Sequence, residues 1–176
     1  MIKTKLRSQA GFTFIELIIY LAIVSSVLTS MILFSLRIME TRTKTKVIQE
    51  VQANTRVAID TVSYLLRTAD GVNVGSSSFD NDPGVLSLST INPSTNPTII
   101  ALDQDNGSLT VTKGSGPTVP LTDTNILVTN LTFRNLTGLS SQPNVQVHMT
   151  VEYANPENDP TFAASQTITT NVMVRN

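Results

Sequence analysis

A chain of 176 residues, once an N-terminal anchor is set aside, has room for one modest soluble domain. It contains no cysteine, which excludes a disulfide framework, a thiolate metal site and a thiol nucleophile. Residues 1–69 hold nine Lys/Arg against four Asp/Glu and residues 70–176 hold three against nine, so the distal part is acidic and offers no basic patch for nucleic acid.

The first eleven residues, MIKTKLRSQAG, are polar and basic through Lys3, Lys5 and Arg7. Then come 25 residues, Phe12 to Leu36, without proline or glycine and with a single charge, Glu16. At about 1.5 Å per residue they make a helix of roughly 37 Å, enough to cross a hydrocarbon core of about 30 Å. An isolated carboxylate near a bilayer centre costs about 2.5 kcal/mol or more, and less towards its edge. Glu16 therefore asks for a partner. In a secretory signal the small cleavage-site residue follows the apolar stretch, whereas here Gly11 precedes it.

This order of basic leader, Gly11 and Phe12-Thr13-Phe14-Ile15-Glu16 resembles the prepilin signature of type IV pilins and of the related pseudopilins of type II secretion systems. The resemblance implies cleavage between Gly11 and Phe12 by a prepilin peptidase on the cytoplasmic side, N-methylation of Phe12, and retention of the apolar segment as anchor and later filament core. It also implies the partners: other pilin or pseudopilin subunits, an inner-membrane assembly platform, and membrane lipid before assembly. The domain after the single span would lie outside the cytoplasm. No cofactor or metal is expected. The lack of cysteine departs from the C-terminal disulfide loop of many pilins and argues against a cysteine-bearing adhesive major pilin.

From Arg37 to Ala69 the helical pattern continues as an amphipathic one. Val47/Ile48, Val51, Ala58/Ile59, Val62, Leu65/Leu66 and Ala69 recur mostly at steps of three and four, with an interruption at Asn54-Thr55 and with Val57 off the stripe. No Pro or Gly occurs between Phe12 and Asp70, so one nearly continuous helix is expected, with Gly71 as its C-cap. Arg37, Arg42, Lys44 and Lys46 form a basic collar after the span, which competes with the leader under the positive-inside rule and leaves orientation to the resemblance.

Residues 71–84 read as loop, after which the period becomes two. Strands are expected at Val85–Ser89, Thr98–Leu102, Leu109–Val111, Ile126–Val128, Leu131–Phe133, Val145–Tyr153 and Ile168–Val174. Between Val128 and Leu131 the alternation slips, which predicts a bulge or a break near Thr129-Asn130. Asp105-Asn106-Gly107 reads as a type I′ hairpin turn. The expected class is α+β: residues 1–11 a leader, 12–36 the span, 37–70 its amphipathic continuation, and 71–176 an antiparallel β domain whose apolar face the helix covers. The ILVTNLTF stretch from Ile126, the Val145 strand and the ending TTNVMVRN resemble minor pilins and pseudopilins of the J-like or W-like type.

Glu16 is the residue expected to carry function. Paired with the N-terminal amine of a neighbour's Phe12, it would register subunits during assembly. His148 falls on the polar face of a strand and reads as a surface residue. Asp80-Asn81-Asp82 and Asp103 to Gly107 have oxygen ligands at close spacing, but the second lacks the full calcium-loop pattern and both read as turns. Asn106, Asn130 and Asn135 match the glycosylation acceptor pattern in a chain rich in Asn and Thr. No Gly-x-Ser-x-Gly elbow is present, and a structural subunit rather than an enzyme is expected: a minor pilin of a type IV pilus or related filament. The alternatives are a minor pseudopilin of type II secretion, or an adhesive module binding through loops 71–84, 112–125 and 154–165.

Overall fold

The structure, a computed structural model, describes residues 11–138 and 142–174. The leader apart from Gly11 and the Arg175-Asn176 ending lie outside the described residues. The chain divides into two compact units, residues 1–42 and 43–176. Helix α1 (Phe14–Thr68) supplies the described regular structure of the first unit and enters the second.

In the first unit the helix is exposed and mostly apolar from Phe14 to Leu36, with Ser25, Ser26, Thr29 and Ser30 among its apolar residues. Its most hydrophobic 18-residue window has a mean hydropathy of 2.4 and no buried residue, so by length and composition it is able to cross a membrane. The hydroxyls of Ser25, Thr29 and Ser35 donate to the carbonyls of Leu21, Ser25 and Met31 at 2.7, 2.8 and 2.9 Å. Bonded in this way, they present little polarity outwards.

In the second unit one face of α1 is buried through Val47, Val51, Thr55, Ala58, Ile59, Val62 and Leu66. The expected break at Asn54-Thr55 is closed by hydrogen bonding. The buried Thr55 hydroxyl donates to the Val51 carbonyl at 2.7 Å, and the half-buried Asn54 amide donates to the Glu50 carbonyl at 3.1 Å. Val57 is off the stripe and exposed.

The β-structure forms two antiparallel sheets. The first runs β1 (Gly71–Val72), β2 (Val85–Ser89), β3 (Thr98–Asp103), β4 (Ser108–Lys113), β5 (Thr118–Pro120); the second runs β6 (Ile126–Asn135), β7 (Asn144–Tyr153), β8 (Ser165–Met173). The α+β, pilin-like arrangement of a long N-terminal helix on antiparallel β-structure is therefore present. A single buried cluster joins Val51, Ile59, Val62 and Leu66 of α1 to Leu86, Ile100 and Leu109 of the first sheet and Phe133, Met149 and Val172 of the second.

The sheet divides because the outer edge of β6 is already occupied. Asp80 and Gly84 donate their backbone N–H groups to Phe133 and Leu131 carbonyls at 2.8 and 2.7 Å, and Val128 donates to the Gly107 carbonyl at 2.7 Å. A ladder strand cannot use those groups as well. Gly84 permits the approach, since a Cβ there would lie 2.9 Å from the Phe133 ring and 3.2 Å from the Leu131 carbonyl oxygen.

The register of β6 on β7 shifts between Val128 and Asn130, at the place where the alternation slips. In β7, Val145, Val147, Met149 and Val151 are buried and Gln146, His148, Thr150 and Glu152 face the other way, half-exposed. Three local expectations are corrected. Gly71 is not a left-handed helix cap but a residue of β1 opposite Ser89, because the Asp70 N–H bonds the Ser89 carbonyl and draws the chain into the sheet. The β3–β4 connection is not type I′: only Gly107 has positive φ, at 64°, in a four-residue loop closed by the Asp103 to Ser108 pair. Within 112–125, where a loop is expected, Thr118–Pro120 forms edge strand β5 on β4.

Candidate functional site

The candidate site is the first turn of α1. The Leu17 N–H reaches the Thr13 carbonyl at 3.2 Å, which makes Thr13 the residue before the helix. Its hydroxyl accepts the Glu16 N–H at 3.4 Å, so Thr13-Phe14-Ile15-Glu16 is a Thr-x-x-Glu helix start. Glu16 stands in the first turn, where a carboxylate is favoured by the helix dipole.

The carboxylate itself turns to Tyr20. The Tyr20 hydroxyl donates to Glu16 Oε1 at 3.3 Å, and the Tyr20 ring meets the Phe12 ring edge-on, with centroids 5.8 Å apart and planes at 63°. Phe12, Glu16 and Tyr20 follow one another at four-residue steps and share one side of the turn. Glu16 is half-exposed, and among the described residues no cation pairs with it. The Gly11–Phe12 peptide bond precedes the helix in exposed backbone, and a Cβ on Gly11 would meet nothing within 4 Å. Thr13 and Tyr20 escape a reading by hydropathy, since both sit inside an apolar run. The Thr-x-x-Glu pattern and the Glu-to-Tyr spacing of four were the signals available.

A comparison with known families finds its match here. Residues 6–32 match the family model described as the prokaryotic N-terminal methylation motif. It supports a pilin-type or pseudopilin-type subunit, a structural class rather than an enzyme class. The motif implies processing by a prepilin peptidase and assembly with other pilin subunits, and with the apolar helix it fits an inner-membrane-anchored pilin that later enters a filament. No curated protein and no solved structure matches the chain significantly.

The distal candidates are engaged in local bonding. His148 lies between Thr132 and Thr169, with Nδ1 2.8 Å from the Thr169 hydroxyl. The Asp103 carboxylate accepts from the Asn106 side-chain amide at 2.8 Å and the Asp105 N–H at 3.1 Å. Those donors, the Asn106 amide foremost, hold its pKa below the ordinary 3.8. Asp80 faces Arg134 at 3.4 Å, while Asp82 accepts from the Asn130 amide and from the Leu131 N–H at 3.0 Å. Asn135 accepts the Thr137 N–H at 2.9 Å. Among the described residues, no group of three or more His, Cys, Asp or Glu side chains could hold a metal ion.

At the far end of the second sheet, Tyr153 stacks on Phe162 at 6.0 Å beside a groove of about 680 Å³ lined in part by Glu152, Asn155 and Asn158. Asn155 is spent on closing the loop: its amide donates to the Asp159 carbonyl at 2.9 Å and its oxygen accepts the Asp159 N–H at 3.0 Å. The loop segment 154–165 is thus held by its own bonds.

Proposed function

We propose that the chain is a minor pilin-like structural subunit of a type IV pilus or a related filament. It is cleaved after Gly11, methylated on the new N-terminal Phe12 and assembled through residues 12–36, with 37–70 and 71–176 forming the exposed part. The observation that carries this reading is the placement of Glu16. A lone carboxylate sits in the first turn of a long, exposed and mostly apolar helix, four residues from Phe12, which the proposed cleavage would make N-terminal, and among the described residues no cation pairs with it. The methylated amine of Phe12 on a neighbouring subunit supplies the missing cation. In a packed, water-poor filament core such a pair is strong when both partners are present, and losing one leaves a buried charge costing about 3–5 kcal/mol.

Mass spectrometry of the mature N-terminus, from membranes and from sheared filaments, tests the reading. N-methyl-Phe12 in the sheared fraction is the expected result, and chains beginning at Met1 in both fractions would sink it. Long surface filaments distinguish a pilus subunit from a pseudopilin of type II secretion.

A further inference from the structure

We infer that Tyr20 is a positioning residue for assembly: its phenol holds one oxygen of the Glu16 carboxylate and leaves the other for the amine of a neighbouring subunit. The inference rests on the role of Glu16 proposed above.

The contact follows from helix geometry. Side chains in an α-helix lean back toward the N-terminus, so a residue at i+4 lies over the turn that carries residue i. Tyr20 is placed so with respect to Glu16, and its hydroxyl reaches Oε1 at 3.3 Å. The chemistry of the donor matters more than the distance. A phenol is neutral and has a single proton to give. It satisfies one acceptor site of the carboxylate without cancelling its charge, so the attraction for a partner's ammonium survives. A Lys or Arg at this position would form the ion pair within one chain and leave nothing to recruit a neighbour.

The ring has a second task. Its edge-on contact with Phe12, at 5.8 Å, gives the residue that follows the cleavage bond a fixed neighbour on the same side of the helix as the carboxylate. Within its own chain Tyr20 thus touches Phe12 through its ring and Glu16 through its hydroxyl.

The test uses the full chain, with Tyr20→Phe removing the hydroxyl and keeping the ring. Processing and membrane level are expected to stay normal. Incorporation into sheared filaments is expected to fall about tenfold, the scale of one hydrogen bond to a charged group. In a Glu16→Gln background, Tyr20→Phe is expected to cause no further fall. A spectroscopic readout accompanies it: with 3-fluorotyrosine at the three tyrosines, Glu16→Gln in lipid nanodiscs should move the fluorine resonance of Tyr20 and leave those of Tyr64 and Tyr153 in place. Normal incorporation of Tyr20→Phe, with Glu16→Ala excluded from filaments, overturns the positioning role and spares that of Glu16. An equal fall in both backgrounds reduces Tyr20 to packing and also overturns it. Normal incorporation of both Tyr20→Phe and Glu16→Ala overturns the assembly reading itself.

Discussion

Asn54 accepts a hydrogen bond from the Asp123 backbone N–H at 3.1 Å, across 69 residues of sequence. The same side chain donates to the Glu50 carbonyl one turn back. A polar residue in the middle of an apolar stripe is thereby engaged through both its nitrogen and its oxygen, and it ties α1 to the segment that leads into β6.

That tie is measurable. Asn54→Ala should lower the unfolding free energy of the distal unit by about 1 kcal/mol, the net value of an ordinary hydrogen bond. Asn54→Asp, which keeps the acceptor oxygen, should cost less. Thermal unfolding of the full chain in detergent, followed through the β-sheet signal, compares the two, and equal losses would show that the oxygen is not the part that matters.

Gly84 and Phe133 should behave as a coupled pair. A methyl group at 84 enters the space of the fully buried Phe133 ring, and overpacking of this kind costs about 1–3 kcal/mol. Phe133→Leu should destabilise alone, yet part of the Gly84→Ala cost should vanish in the double variant. Simple additivity across the cycle would show that the Leu131 backbone, rather than the ring, sets the limit at 84.

Glu16→Ala should yield a processed, membrane-bound chain that fails to enter filaments. Immunoblots of membrane and sheared fractions separate the steps. Incorporation at the normal level would refute the assembly role of the carboxylate.

Acid should weaken the distal unit through its turn carboxylates. Asp103 is depressed by its bonds to Asn106 and Asp105, and Asp159 by its bonds to Thr161. A carboxyl group depressed on folding stabilises the native state above its unfolded pKa, and the stabilisation is lost as pH falls below the ordinary 3.8 and through the folded value. Unfolding midpoints taken from neutral pH down through this window should fall, and Asp103→Asn should flatten part of that slope. An unchanged slope in the variant would place the acid sensitivity elsewhere. Both residues are half-exposed, so the effect is partly screened by salt.

Much of this architecture was legible because two periods are hard to disguise. The three-and-four spacing from Val47 to Ala69 and the strict alternation from Val145 to Val151 each name their buried face, and the slip at Val128 locates the bulge in β6. What stayed hidden depends on partners distant in sequence. The three residues of β5 end on a proline and become a strand only because β4 offers an edge. Gly71 looks like a helix stop until Ser89 is placed beside it. The division into two sheets follows from backbone bonds made by Asp80 and Gly84, which no side-chain pattern records. At the candidate site, Gly11, Phe12 and Glu16 stand out through register and charge, whereas Tyr20 reads as one more apolar residue until its hydroxyl is given a direction.

Strand order within the two sheets bears on how the chain becomes structured. In each sheet every strand pairs with its immediate predecessor or successor, β1 through β5 and then β6 through β8. No strand therefore waits for one made much later, and loop closure is inexpensive at each step. The molecule can gain its hairpins in the order of synthesis. Among the hydrogen bonds that close late are the Asp80–Gly84 strap on β6 and the bond from Asp123 back to Asn54, together with the packing of both sheets on α1.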